Sequence, residues 1–244
     1  MIEDLLIVAA GTGSRLRAKG DLKPLVEICG TSLIERALAS AFNAGLARAT
    51  VVTGYNAPVL EDHLDQLVKR HNWRIETVHN AEYQHPNGLS VLKARNLLSG
   101  PFCLAMCDHL VAPSLYRTLI AGDRMSGEVA LAVDTVLGNG FVDLDDVTKV
   151  RYAGRHILEI GKEIPVYNAF DTGIFAADPA LFDAIAKSGR ERGDYSISGG
   201  MTELALAKKA VSIDVGGEFW IDVDSPAMYD LATSWLTANQ SLAV

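Results

Sequence analysis

Gly11-Thr12-Gly13-Ser14-Arg15, with Lys23-Pro24-Leu25 shortly beyond, is the stretch whose residue types point most directly to chemistry. The apolar run that begins at Leu5 and leads into it reads as a buried strand. A glycine-rich turn behind a buried strand exposes backbone N–H groups, and Arg15 and Lys23 add two cations, a combination suited to an oligophosphate. Two better-known phosphate loops are excluded. A P-loop needs Gly, four residues and then Gly-Lys-Ser/Thr, and the dinucleotide fingerprint needs a third glycine where Leu16 stands.

A bound oligophosphate calls for a divalent cation, and magnesium takes oxygen ligands, commonly one or two carboxylates with phosphates completing the shell. Asp108 is the first candidate, because it ends the apolar run Phe102–Cys107, and open α/β sheets bind ligands at the carboxyl ends of their strands. The second lies in Trp220-Ile-Asp-Val-Asp224, where alternation puts Asp222 and Asp224 on one face of an extended segment. Either could reach the metal. Aspartate is also a common helix N-cap, a role open to Asp108 and to both C-terminal aspartates before Pro226. His109 reads as an orienting or packed histidine, and Trp220 as core.

These groups must be carried by alternating strands and helices. Ser32 caps a helix with apolar positions through Phe42 that stops at Gly45, and Ala49–Thr53 is a strand. Asn56 or Pro58 opens an amphipathic helix through Leu67, and Trp73–His79 is the next strand. A polar segment, Asn80–Asn87, precedes a helix over Gly88–Leu98. A helix over Pro113–Ala121 and a strand over Glu128–Asp134 complete a doubly wound part. Beyond Thr135 the pattern changes. Thr148–Tyr152 and His156–Ile160 form a hairpin, Asp171–Ala177 is a strand, and Pro179 opens a helix to Lys187. Ser188–Ser196 reads as a mobile loop, and Ser198 starts a helix to Lys209. Strands at Val211–Val215 and Glu218–Val223 and a helix from Pro226 to about Ala238 close the chain.

Composition narrows the classes. With 244 residues, 49% hydrophobic and 21% charged, the chain suits one domain over 1–244. A net charge of -8 argues against a nucleic-acid or anionic-membrane surface, so the cations near Gly11 are local. No run of 18 apolar residues exists, and Glu3 and Asp4 stand where a signal peptide wants lysine or arginine, so a soluble cytoplasmic protein is expected. Three cysteines without C-x-x-C, and histidines without ligand spacing, argue for reduced thiols and against zinc.

The pattern A-A-G-x-G-S-R-L with K-P-L resembles the signature of nucleotidyltransferases that join an NTP to a phosphorylated sugar or alcohol. Further blocks follow in order: N-G-x-S at Asn87–Ser90, D-H at Asp108–His109, D-D-x-T-K-V at Asp145–Val150, I-G-K at Ile160–Lys162, D-T-G at Asp171–Gly173 and W-x-D-V-D at Trp220–Asp224. Together they resemble inositol-1-phosphate cytidylyltransferases over nearly the whole chain. The resemblance implies a glycosyltransferase-A-like, Rossmann-like α/β fold with a mixed, mainly parallel sheet flanked by helices. The implied reaction is CTP plus inositol 1-phosphate giving CDP-inositol and pyrophosphate, with Mg2+ on Asp108 and Asp224. It puts Gly11, Thr12, Gly13, Ser14, Arg15 and Lys23 on the triphosphate, and Ala9, Ala10, Asn87, Gly88 and Ser90 around base and ribose. Lys149 or Lys162 meets the acceptor phosphate, and Asp171, Thr172 and Gly173 meet the acceptor, so the resemblance implies a nucleotide-binding half (1–135) and an acceptor-binding, metal-completing half (136–244).

Partners are then CTP or another NTP and a small phosphorylated alcohol or sugar. Alternatives are a sugar 1-phosphate with UTP or dTTP, choline phosphate with a cage from Tyr167, Phe170 and Tyr195, a phosphonate, or a non-catalytic nucleotide sensor or scaffold. Many such proteins carry a fused membrane-embedded alcohol phosphatidyltransferase domain. This chain stops at Val244, which suggests a free-standing enzyme with no stable membrane association; a homodimer is left open. Val136–Phe141 reads as a variable loop whose lining would tune the acceptor.

Overall fold

The computed structural model describes residues 2–239. In chain order the N-terminal part contains β1 (Asp4–Val8), 3-10 turns at Ser14–Lys19 and Lys23–Leu25, a ribbon of β2 (Glu27–Ile28) and β3 (Thr31–Ser32), α1 (Leu33–Asn43), β4 (Arg48–Thr53), α2 (Ala57–His71) and β5 (Ile75–His79). Next come α3 (Asn87–Lys93), β6 (Phe102–Met106), β7 (His109–Val111), α4 (Pro113–Ala121) and β8 (Val129–Asp134). The rest is β9 (Lys149–Ala153), β10 (His156–Gly161), β11 (Ala169–Ala177), α5 (Ala180–Arg192), α6 (Ile197–Leu206), β12 (Ala210–Asp214), β13 (Trp220–Asp222) and α7 (Pro226–Ala238).

Nine strands form one sheet in the order β5-β4-β1-β6-β11-β8-β12-β10-β9. β11 and β10 run against the other seven, so the sheet is mixed with one dominant direction. The uninterrupted apolar sequence of β1 follows from burial on both faces. Leu5 and Ile7 join the core under α1, α2 and α4, while Leu6 and Val8 join the one under α3, α5 and α6. A third cluster holds Leu16, Ile28, Leu110, Ile221, Val223 and Met228. It clamps the phosphate-loop turn, the β7–β13 ribbon and α7 together.

Three helix boundaries differ from expectation for local reasons. The helix expected over Gly88–Leu98 ends at Lys93, after which the chain tightens into i→i+3 bonds such as Arg95 N–H to Leu92 O at 3.3 Å. The mobile loop expected from Ser188 is instead helical through Arg192. Ser188 and Gly189 are buried, a side chain at Gly189 would collide with the Tyr195 ring, and Lys187 and Arg192 both pair with Glu203 of α6. Ser196, rather than Ser198, caps α6 by accepting the Gly199 N–H at 2.9 Å.

The end of β8 is tied to the site by the buried Asp134 carboxylate. It accepts hydrogen bonds from Trp220 Nε1 (2.8 Å), Asn139 Nδ2 (2.7 Å) and the Val136 N–H (2.8 Å). Trp220→Phe removes the indole donor while keeping an aromatic in the core. It should lower stability by about 1–3 kcal/mol in urea unfolding; an unchanged midpoint and slope would show that the bond contributes nothing.

Candidate functional site: a cation-lined turn facing paired carboxylates

The site begins with strand register. β13 pairs antiparallel with β7 so that Asp222 stands opposite His109, and the Val223 N–H donates to Asp108 O at 2.9 Å. That ribbon carries the C-terminal aspartates to the end of β6. On the other side, Gly13 adopts a left-handed conformation (φ 58°), and a Cβ there would collide with Lys23 Cβ. Its glycine therefore lets the lysine cross the turn. A similar close approach fixes His109. Gly173 is left-handed (φ 75°), and any Cβ on it would strike the imidazole, while His109 Nδ1 donates to Thr172 O at 2.8 Å.

Six ion pairs knit these parts together. Lys23 Nζ pairs with Asp108, and Arg15 spans Asp146 (3.0 Å) and Asp224 (2.5 Å). Lys162 Nζ meets the other oxygen of Asp146 at 2.5 Å. His109 Nε2 lies 3.5 Å from Asp222 and 3.9 Å from Asp108. Burial would lower the pKa of the Lys23 ammonium, but Asp108 and Asp222 outweigh it and push the pKa up. Burial opposes the charge of Asp108 too, yet Lys23 and His109 hold its pKa below the usual carboxylate value. The His109 imidazole is raised to about 10, the opposing effect of burial being overcome by Asp222. Asp224 is pushed up to about 7, by burial first and then by Asp222.

Buried carboxylate oxygens without donors are costly. Asp222 Oδ1 and both oxygens of Asp224 are of this kind. Two groups of candidate ligand atoms gather here, each within 4.8 Å: Asp108, His109 and Asp222, and Asp146, Asp222 and Asp224. Asp222 is common to both. Oxygen-rich donors with unsatisfied lone pairs suit a hard divalent cation such as Mg2+.

Two cavities meet at this point. One, of about 350 Å³, is lined by Ala9, Gly11, Gly13, Arg15, Lys23, Tyr83, His85, Asn87, Ser90, Asp108 and Asp222 among others. The second, of about 150 Å³, is lined by Phe141, Asp143, Thr148, Asp171, Gly173, Ile197, Ser198 and Asp224, with apolar walls from Trp220 and Met228. Asn87, Met106, His109, Asp146, Lys162 and Asp222 belong to both.

Several expected residues fall elsewhere. Thr12 and Ser14 do not line either cavity, and Ala10 is buried, with its carbonyl accepting the Tyr55 N–H at 2.9 Å. Gly88 is a packing residue, since a Cβ on it would collide with Tyr195 O. Thr172 is a correction. Alternation along β11 turns its side chain inward, where it is fully buried and donates to Ala132 O at 2.8 Å, so only its carbonyl serves the site. Lys149 is a second correction. Its ammonium donates to Lys162 O at 2.9 Å and does not reach the cavity walls, which leaves Lys162 facing both cavities. Asp146, Asp143, Tyr83 and His85 are site residues that the sequence reading missed. Asp146 lay within a quoted block, D-D-x-T-K-V, but only its contact with Arg15 reveals its place.

The profile of the MobA-like NTP transferase domain matches residues 5–197, and the chain belongs to that family. Among curated relatives, the "Bifunctional IPC transferase and DIPP synthase" of Rubrobacter xylanophilus is 34% identical over 222 residues, covering 90% of this chain and 49% of the relative. The protein of the same description from Aquifex aeolicus is 27% identical over 238 residues, covering 97% of this chain and 52% of the relative. The chain thus spans about half the length of the curated relatives it matches. The fold is also that of the inositol-1-phosphate CTP transferase from T. maritima, with a TM-score of 0.82, 24% identity and coverage of 96% of this chain and 95% of that one. Among the described residues no helix is long and apolar enough to cross a membrane.

The packing of His109 on Gly173 can be separated from backbone strain. Gly154, in the β9–β10 turn, has a similar φ (58°) with nothing near its missing Cβ. Gly154→Ala should therefore cost about 1 kcal/mol by urea unfolding. Gly173→Ala should cost more and lower turnover as well. Equal losses in the two variants would show that the imidazole contact is unimportant.

Proposed function

We propose that this chain is a magnesium-dependent cytidylyltransferase that moves CMP from CTP to inositol 1-phosphate, giving CDP-inositol and pyrophosphate. The observation that carries this reading is the meeting of two cavities across shared Asp146, Lys162 and Asp222, one walled by the Gly11–Arg15 turn and the other by Asp171 and Asp143. Similarity to the bifunctional IPC transferases and to the T. maritima inositol-1-phosphate CTP transferase supports the choice of base and acceptor.

Attack of a phosphate monoester on the α-phosphorus of an NTP needs alignment and charge neutralisation rather than covalent help. In this reading Gly11, Gly13, Arg15 and Lys23 hold the triphosphate, and Ala9, Tyr83, Asn87 and Ser90 surround base and ribose. Asp222, common to both acidic groups, would hold the magnesium ion with Asp108 on one side or with Asp146 and Asp224 on the other, and the bound ion would neutralise phosphate oxygens. The two carboxyl-bearing strands are fixed by the β7–β13 register, so the ligands need little reorganisation. Lys162 neutralises the acceptor phosphate from the wall common to both cavities. The nucleophile is already ionised, so no general base is required.

The second cavity is polar on one side, with Asp143, Thr148, Asp171 and Ser198, which suits an acceptor with several hydroxyls. A choline cage from Tyr167, Phe170 and Tyr195 is not assembled. None of the three lines the cavity, and Phe170 is fully buried.

The decisive assay is pyrophosphate release across CTP, UTP, dTTP, GTP and ATP against inositol 1-phosphate, choline phosphate, aminoethylphosphonate and hexose 1-phosphates. CTP with inositol 1-phosphate should be the best pair; turnover only with UTP and a hexose phosphate would overturn the assignment. Asp108→Asn and Asp222→Asn should each reduce kcat by about a hundredfold or more. Burial pushes the Asp171 carboxyl up to about 6. As pH falls through that value the group gains a proton and ceases to be a pure acceptor, so KM for the polyol phosphate should rise. The acceptor phosphate itself titrates nearby, with its second pKa near about 6. Asp171→Asn should therefore flatten only the enzyme's share of the profile, and an unaltered profile would remove Asp171 from acceptor binding.

A further inference from the structure

The guanidinium of Arg15 lies where a phosphate-holding cation would not be expected, on carboxylates. Nη1 is 3.0 Å from Asp146 Oδ2 and Nη2 is 2.5 Å from Asp224 Oδ2. Those two residues and Asp222 have ligand oxygens within 4.8 Å of one another. Arg15 therefore sits against a three-carboxylate cluster. The members differ sharply in exposure: the Arg15 side chain is 57% exposed and that of Asp224 is 3% exposed. Both Asp224 oxygens lack an aligned hydrogen bond, so Oδ2 meets the guanidinium by charge alone.

A buried carboxylate cannot stay charged without a counter-charge. An exposed arginine on a glycine-flanked turn supplies one that can leave without disturbing the core. Lys162 grips Asp146 from its other oxygen at 2.5 Å, which keeps that residue in place when Arg15 departs. The cluster also lies between the triphosphate turn and the second cavity, since Asp146 and Asp222 line both.

We propose that Arg15 is a resident counter-ion of the Asp146–Asp222–Asp224 cluster, displaced by a divalent cation and thereby released to the triphosphate of the incoming nucleotide. The inference rests on the proposed nucleotidyl transfer for the identity of the anion that receives Arg15. The exchange couples the two ligands. A cation on the carboxylates frees the arginine for phosphate, and phosphate on the arginine frees the carboxylates for a cation, with the same coupling in both directions. Arg15 thus weakens cation binding in the absence of nucleotide and strengthens nucleotide binding once the cation is present.

The test is Mn2+ binding to the full chain without nucleotide, followed through the electron paramagnetic resonance signal of the free ion. Arg15→Gln should bind Mn2+ on the order of tenfold more tightly than the unsubstituted protein, about 1.4 kcal/mol. Arg15→Lys, whose point charge cannot span two carboxylates, should fall between them. In isothermal titration with Mg2+ present, Arg15→Gln should bind CTP more weakly, an opposite sign that a merely structural role would not produce. Thermal melts confirm folding, and if Arg15→Gln does not fold, Arg15→Lys carries the same comparison. Mn2+ binding that is unchanged or weaker in the folded variant, or absent from both proteins, overturns the inference. Because the titration uses no acceptor, such a result alongside intact turnover with CTP and inositol 1-phosphate leaves the proposed function standing. Failure of turnover with tighter Mn2+ binding does the reverse.

Discussion

The antiparallel register of β7 with β13 is the constraint on which the site depends. Only three residue pairs make it, Trp220 with Val111, Ile221 with Leu110 and Asp222 with His109. A slip of one residue would turn Asp222 to the opposite face and bring Ile221 out of the third core cluster. Burial of Leu110, Ile221 and Val223 together therefore pins the carboxylates as a by-product of packing. Leu16 shares that cluster, which brings the neighbouring Arg15 to the same place. Apolar residues adjacent in sequence to the charged ones do the positioning.

Glycine performs the same service at two further points. Lys23 can lie across the phosphate turn, and His109 can stand between the aspartates, because Gly13 and Gly173 present no Cβ to either. Both are left-handed, so the conformation and the space are demanded together. The bulge at Gly173 also shifts the β8–β11 register between Asp171 and Phe175. Asp171 and Gly173 both line the second cavity where this shift begins, and bulges recur next to functional sites.

Much of this was legible from sequence for identifiable reasons. The two-faced burial of β1, the Ser32 cap, and the helices opened by Pro113 and Pro226 are local signals that the tertiary structure did not override. Asp108 was expected at the site because the carboxyl end of a central strand is a place that topology makes chemical, and it lines the larger of the two cavities described. What stayed hidden depends on long-range pairing. Asp146 sits in an acidic, glycine-bearing loop without periodicity, and its significance comes from Arg15 and Lys162, which reach it from separate elements. The choice between Lys149 and Lys162 turned on the hairpin, where Lys149 pairs with Gly161 and spends its ammonium on the next carbonyl. Thr172 was misread although its fate was in the sequence, because in an extended strand three consecutive residues cannot face one cavity.

Charge balance explains how so polar a site remains compact. Asp108, Asp146, Asp222 and Asp224 are met by Arg15, Lys23 and Lys162, with His109 between the aspartates, so each of these four carboxylates has a counter-charge nearby even though Asp143 and Asp171 add to the acidic lining. Each carboxylate leaning on a cation lowers the desolvation cost that burial would otherwise impose. An incoming polyphosphate with its metal carries the same two kinds of charge in similar proportion. In the proposed reaction its binding would exchange partners rather than create ion pairs where none existed: phosphate for carboxylate on the arginine and lysine, and metal for ammonium or guanidinium on the aspartates. Exchange of this kind yields little net Coulomb energy, which keeps a highly charged ligand from binding too tightly to leave. What it would yield instead is order, because under the proposed exchange the cations turn to phosphate only when the aspartates gain another counter-charge.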